Sequence, residues 1–160
     1  KGTDTKTKGA TWVMALKCAE VVDIEGVEYL NMRLVQLNPE APKKTTNCVG
    51  SALNFAVRPG AVQALLDYVN TFVSENTYSD DTGIALFSGI EPLVPGDLWN
   101  DTAKDVKTRI MTREDAELAA EKLGITFIDR FESKGRIGAL GAVLWANRGI
   151  EAAGLYGETR

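Results

Sequence analysis

The stretch Arg33–Asn47, RLVQLNPEAPKKTTN, constrains the fold more than any other part of this chain. An alternating strand runs into Asn38-Pro39, and the chain then passes Pro42, a lysine pair, two threonines and an asparagine. Proline fixes φ, so the bend is stiff and the donors that follow are held at little ordering cost. Lys43, Lys44, Thr45, Thr46 and Asn47 offer ammonium, hydroxyl, amide and backbone N–H groups, a set suited to an anion such as a phosphate. A polar turn between two strands explains the same composition.

At 160 residues, with 44% apolar and 25% charged residues, the chain has the makings of one good core or two small ones. A net charge of −4 and no long basic run argue against an autonomous nucleic-acid binder, whose affinity comes mostly from neutralising phosphates. Histidine is absent, which removes Ser-His and Cys-His nucleophiles and His-ligated metals. Cys18 and Cys48 match no zinc or CxxC spacing and read as free thiols in a reducing cytosol. The longest apolar run, Ile137–Ala146, is too short to span a membrane. Residue 1 is lysine and the chain opens mid-motif, which reads as an amino-terminal truncation or a fragment.

Periodicity predicts a helix over Ala10–Val22, then a strand over Val27–Leu37 with Leu30, Met32 and Leu34 on one face. A second strand, Cys48–Val57, carries small residues at Cys48, Gly50, Ala52 and Ala56, where a helix can lie close. Pro59-Gly60 opens the clearest helix, with Val62, Leu65, Leu66, Val69, Phe72 and Val73 in register. The acidic turn Ser79–Gly83 leads to a short strand, Ile84–Phe87. Two prolines mark Ile90 to about Asp101 as a linker. Beyond it, Thr112 caps a helix that Gly124 stops. A strand Ile125–Phe131, a glycine-rich turn Ser133–Gly138, a helix to about Asn147 and a strand near Leu155 then make a β-α-β unit. The expected class is α+β: two lobes of mixed β-sheet with helices on one face, divided as residues 1–92 and 93–160.

Three separated pieces resemble the archaeal tRNA(Ile) agmatidine synthetase family. Thr3-Asp4-Thr5 and Gly9-Ala10-Thr11 stand where that family has a DDTDS-type turn and a hydroxyl-rich helix start. Leu37-Asn38-Pro39, Pro42 and Lys44-Thr45 match its LNPxxPxKT, and Gly135, Ile137, Gly138, Ala139, Leu140 and Ala142 its GRGLIGALAA. The TDTKTKGATW wording is closer still to the methanogenesis marker protein 11 group of methanogens. Departures are plain. Lys1-Gly2 replaces a pair of aspartates, Thr46-Asn47-Cys48-Val49 replaces Arg-Gly-Asn-Gly, and Ser133-Lys134-Gly135 replaces Gly-Arg-Gly. The TNPG turn is reduced to Thr82-Gly83, and the family's OB-type barrel and zinc ribbon have no counterpart here.

The resemblance implies a kinase-like lobe, a ferredoxin-like second lobe, and ATP with Mg²⁺ as cofactors. It implies Thr11 as phosphate acceptor, Asp4 as a Mg²⁺ ligand and Lys44 as the cation that neutralises the moving phosphoryl group. The residues alone leave rivals open: a helix cap for Thr11, an Asx turn for Asp4 and a solvated lysine for Lys44. Asp80 and Asp81 could complete a metal site or simply face solvent. Arg33, Asn38, Thr45, Thr46, Asn47, Gly135 and Arg136 are the candidate nucleotide and phosphate contacts, although Arg33 could instead pair with a carboxylate. Close helix–sheet packing is the alternative reason for Gly138, Ala139, Gly141 and Ala142. Trp12 and Trp145 could stack a base, and Trp145 equally suits the core. The expected activity is ATP-Mg-dependent phosphoryl transfer or ligation in a cytoplasmic archaeal protein. Its partners would be a nucleotide and, through regions absent here, a protein or tRNA. The alternative is a non-catalytic nucleotide-binding or assembly module associated with methanogenesis.

Overall fold

The computed structural model describes residues 1–42, 44, 48–90, 96–128, 134–148 and, for the backbone, 152–154. The fold is α+β, and both sheets are antiparallel among the described residues. Helix α1 is Thr11–Glu20. Strands β1 (Val27–Gln36) and β2 (Val49–Val57) pair directly, with Met32 opposite Leu53 and Arg33 opposite Ala52. Strand β5 (Ala152–Gly154) adds to the other side of β1, giving the order β2-β1-β5.

A bulge between Tyr29 and Asn31 changes the face predicted for β1. The extra residue hands Leu30's expected place to Tyr29, which packs tilted on Phe55 with ring centroids 5.7 Å apart. Leu30 is exposed, while Tyr29 and Met32 are buried under Ala15, Leu16 and Ala19 of α1. The opposite face is made of small residues, as expected. A Cβ on Gly50 would stand 2.9 Å from that of Ala142, and Ala52, Ala142 and Ala146 form one buried cluster. Helix α5 (Gly135–Trp145) lies there. Helices therefore cover both faces of this sheet rather than one, because each face offers an apolar surface that needs covering.

A single 3₁₀ turn, Pro59–Ala61, leads into α2 (Val62–Asn76), which crosses to β3 (Ala85–Phe87). The segment expected to be a linker is helical from Asp97 to Thr108, here α3. Pro92, Pro95 and Gly96 precede Trp99, Ala103 and Val106, which recur at i, i+4 and i+7 and are all buried. Helix α4 (Arg113–Leu123) has the expected capping box, Thr112 accepting from Asp115 N at 3.1 Å, and stops at Gly124 in the left-handed region.

Strand β4 is only Ile125–Phe127, and it pairs with β3. The predicted β-α-β unit is therefore not formed: β4 and β5 belong to different sheets. Nor is Gly135–Gly138 a turn, since it makes the first turn of α5. The largest core joins Val35, Leu37 and Cys48 to Trp99, Val106, Leu140 and Leu144, so it draws on both sides of residue 92.

Candidate functional site around Asp4 and Thr11

Thr11 is the first residue of α1, yet its hydroxyl caps nothing; Ala10 holds the N-cap position without a side-chain bond. The Thr11 Oγ1 donates to Asp4 Oδ1 at 2.6 Å and accepts from the N–H and hydroxyl of Thr3 at 3.3 and 3.1 Å. Thr3 and Thr11 are buried and Asp4 is half-buried. A hydroxyl placed between two donors and one carboxylate has its proton directed at the carboxylate. The second oxygen of Asp4 takes no hydrogen bond among the described residues, which leaves it free for a hard cation. Neither rival for these two residues, helix cap or Asx turn, describes what they do.

The acidic turn braces this strand-like start of the chain. Tyr78 N donates to Thr3 O at 2.9 Å, and Thr82 Oγ1 lies 2.6 Å from Thr77 Oγ1 and donates to Gly2 O and Ser79 O. Thr82 is completely buried. Gly2 adopts φ +74° with its α-carbon against the carbonyl of Asp81, so no larger residue fits. The sequence singled out Asp80 and Asp81; the threonines beside them do the bracing. Both aspartates are exposed, and no three of His, Cys, Asp or Glu gather as metal ligands among the described residues. A Mg²⁺ ion needs only one or two carboxylates when phosphate and water oxygens complete its shell, so Asp4 alone fits that role.

The other candidates are scattered. Lys44 is exposed on the loop between β1 and β2 and bonds neither Asp4 nor Thr11. Lys43, Thr45, Thr46 and Asn47 lie outside the described residues. Asn38 fixes the loop: its amide donates to Arg109 O at 3.3 Å while its oxygen accepts from Glu40 N at 2.9 Å. Arg33 is half-buried on β1 opposite Ala52. Gly135 meets the backbone of residues 81–83, so its smallness serves packing. Arg136, proposed as a phosphate contact, is instead buried, ion-paired to Glu117 at 2.7 Å and set over the Phe127 ring at 5.3 Å. A guanidinium already desolvated against a carboxylate is poorly available to a second anion.

Two aromatic candidates part ways. Trp12, next to Thr11, is 45% exposed, whereas Trp145 is half-buried and donates to Ala103 O at 2.6 Å. Cys18 is a buried core thiol, as its place on the α1 stripe predicted. No helix among the described residues is long and apolar enough to cross a membrane.

Residues 1–65 match the family model described as the TiaS TCKD domain. An uncharacterized protein of Methanocaldococcus jannaschii is 37% identical over 142 residues, covering 88% of this chain and 46% of the relative. The crystal structure of TiaS in complex with its isoleucine tRNA and ATP aligns with TM-score 0.69 at 26% identity, over 89% of this chain and 34% of that one. A tRNA fluorescent labeling enzyme aligns with TM-score 0.69 at 27% identity, over 88% and 33%, and apo TiaS, the tRNA agmatidine synthetase, with 0.66 at 25%, over 89% and 33%. The chain thus spans about half the length of its curated relative and a third of the solved ones. Residues 1–65 thus carry the TiaS TCKD domain match, and the chain is similar in fold to the solved TiaS structures over most of its length.

Proposed function

We propose that this chain binds ATP with Mg²⁺ and transfers a phosphoryl group, as the kinase-like and ferredoxin-like part of a cytoplasmic archaeal relative of the agmatidine synthetases. Residues 1–92 would carry the kinase-like part and 93–160 the ferredoxin-like part of one packed unit, since each sheet takes strands from both sides of residue 92. The observation that carries the reading is the 2.6 Å hydrogen bond from Thr11 Oγ1 to Asp4 Oδ1 at the start of α1. As the Thr11 oxygen bonds to the γ-phosphorus, its proton passes to Asp4 Oδ1 and ADP departs. The unpaired N–H groups of the first α1 turn favour the transferred group's negative charge. Asp4, through its second oxygen, would help hold Mg²⁺, which would supply charge neutralisation for the polyphosphate. Lys44, exposed on the loop between β1 and β2, would supply a positive charge, and Trp12 offers an exposed ring to a base.

The test is calorimetry with ATP and Mg²⁺, paired with label transfer from γ-labelled ATP. Heat of binding and label on the wild type, with label lost in Thr11→Val, support the proposal. Absence of both ends it. The acceptor that receives the phosphoryl group after Thr11 is proposed to be RNA or a small molecule brought by other parts of a longer chain.

A second reading is a non-catalytic nucleotide-binding or assembly module associated with methanogenesis. It draws support from Arg136 and Asn38, two expected phosphate contacts that are engaged within the fold. ATP heat without label transfer, together with recovery of a defined protein complex, separates this reading from the first.

A further inference from the structure

Strand β2, helix α2 and strand β3 follow one another as strand, crossover helix and strand, a connection that ordinarily returns the chain to the same sheet. Here β2 and β3 belong to different sheets, and among the described residues each is an edge: β2 pairs only with β1, and β3 only with β4. Between them lies a cavity of about 720 Å³. Its walls include the unbroken runs Ser51–Phe55 and Ile84–Ile90. A cavity above a sheet face would touch alternate residues; consecutive residues mean that it runs along the two edges. Edge strands present a row of N–H and C=O groups that demand a partner.

We propose that this cavity is a strand-binding slot that takes an extended, uncharged peptide segment of a partner protein, hydrogen-bonded on both sides. Such a segment would join the two sheets into one, by the main-chain pairing used in strand addition. The walls specify its side chains. On the α5 side stand Ala139, Ala142 and Ala146 with Ala52 of β2, which leave room only for small residues. On the α2 side stand Val62, Leu66 and Val69, half-buried because they face the space, which favour a branched apolar residue. Lys1 is the one charged residue in the described lining, so an ionised side chain in the slot would stay unpaired along most of its length. The occupant therefore alternates small and branched uncharged residues. This proposal does not depend on phosphoryl transfer.

The probe is the capped pentapeptide acetyl-Ser-Val-Ala-Val-Ser-amide, followed by backbone NMR and amide hydrogen exchange on the full chain. In the free protein, alternate amides within Ser51–Phe55 and Ala85–Phe87 should exchange quickly. Peptide at about 1 mM should slow them at least roughly tenfold. An analogue with both valine nitrogens methylated should bind at least about tenfold more weakly, because it lacks two donors. Slow exchange at both edges without peptide would mean that the strands already pair, and overturns the proposal. So does equal binding by the methylated analogue, which reports an apolar cavity only, or no change up to about 2 mM.

Discussion

Gly83 and Gly135 touch backbone to backbone: a Cβ on Gly135 would stand 2.5 Å from Gly83 N, and one on Gly83 would overlap the Gly135 carbonyl. This contact presses the acidic turn, and with it Gly2–Asp4, onto the first turn of α5. Neither side can yield, since both partners are main chain.

Gly83→Ala and Gly135→Ala should each destabilise by at least about 2 kcal/mol, the cost of overpacking a site that cannot relax. Gly60→Ala is the control, because nothing lies within 4 Å of a Cβ there. Urea midpoints should fall for the first two and stay within about 0.5 kcal/mol for the third. Equal midpoints for all three would mean that the turn does not pack on α5.

Thr11 should carry both stability and chemistry. Thr11→Val keeps the shape but leaves the Thr3 N–H and hydroxyl without their acceptor and Asp4 without its donor. The expected loss is about 1–3 kcal/mol, with no label transfer from ATP. Thr11→Ser keeps the hydroxyl and should retain both to a large degree. Asp4→Asn should slow label transfer by about two to four orders of magnitude if Asp4 takes the proton. An Asp4→Asn protein that labels at the wild-type rate would remove Asp4 from the reaction.

Much of this fold is legible in the sequence wherever one periodicity acts alone. The α2 stripe, the α4 caps and the small face of β2 at Gly50 and Ala52 all appear as the residues imply. Misreadings arise where a local signal hides a tertiary demand. Pro92, Pro95 and Gly96 masked the buried stripe of α3, and one bulge exchanged Tyr29 for Leu30. Strand pairing was the hardest to read: β4 joins β3 and β5 joins β1, since pairing is decided by packing far along the chain. Of the candidate site residues, Asp4 and Thr11, singled out by resemblance, meet directly. The bracing by Thr77 and Thr82 was not, because a buried hydroxyl looks like a surface one until its acceptors are known.

Lys44 and Arg136 should respond in opposite ways. Lys44 is exposed, so Lys44→Ala should change stability by less than about 0.5 kcal/mol while weakening ATP binding and label transfer. Arg136→Met removes a buried cation from Glu117 and from the Phe127 ring, and should destabilise by about 1–3 kcal/mol. ATP binding by folded Arg136→Met should stay near wild type. A large loss of ATP affinity there, with stability unchanged, would restore Arg136 as a phosphate ligand.

Alkaline pH should loosen the packing of α1 on α2. The Cys18 thiol is pushed up to about 11 by burial, and the Tyr68 hydroxyl, which donates to Cys18 O at 2.7 Å, to about 12. Both groups hold their protons more tightly folded than unfolded, so the folded state gains nothing from ionising them. Their contribution is complete below the ordinary thiol and phenol values, near 9 and 10, and declines as pH rises through about 11 and 12. Thermal unfolding followed from pH 8 to 11.5 should show a falling Tm above pH 9, and Tyr68→Phe should flatten the upper part of that fall. Native Cys18 should also resist alkylation at pH 8, where its thiolate is scarce and buried, and react once urea exposes it. Rapid alkylation of Cys18 in the folded protein at pH 8 would mean that α1 opens from α2 far more readily than its buried contacts allow.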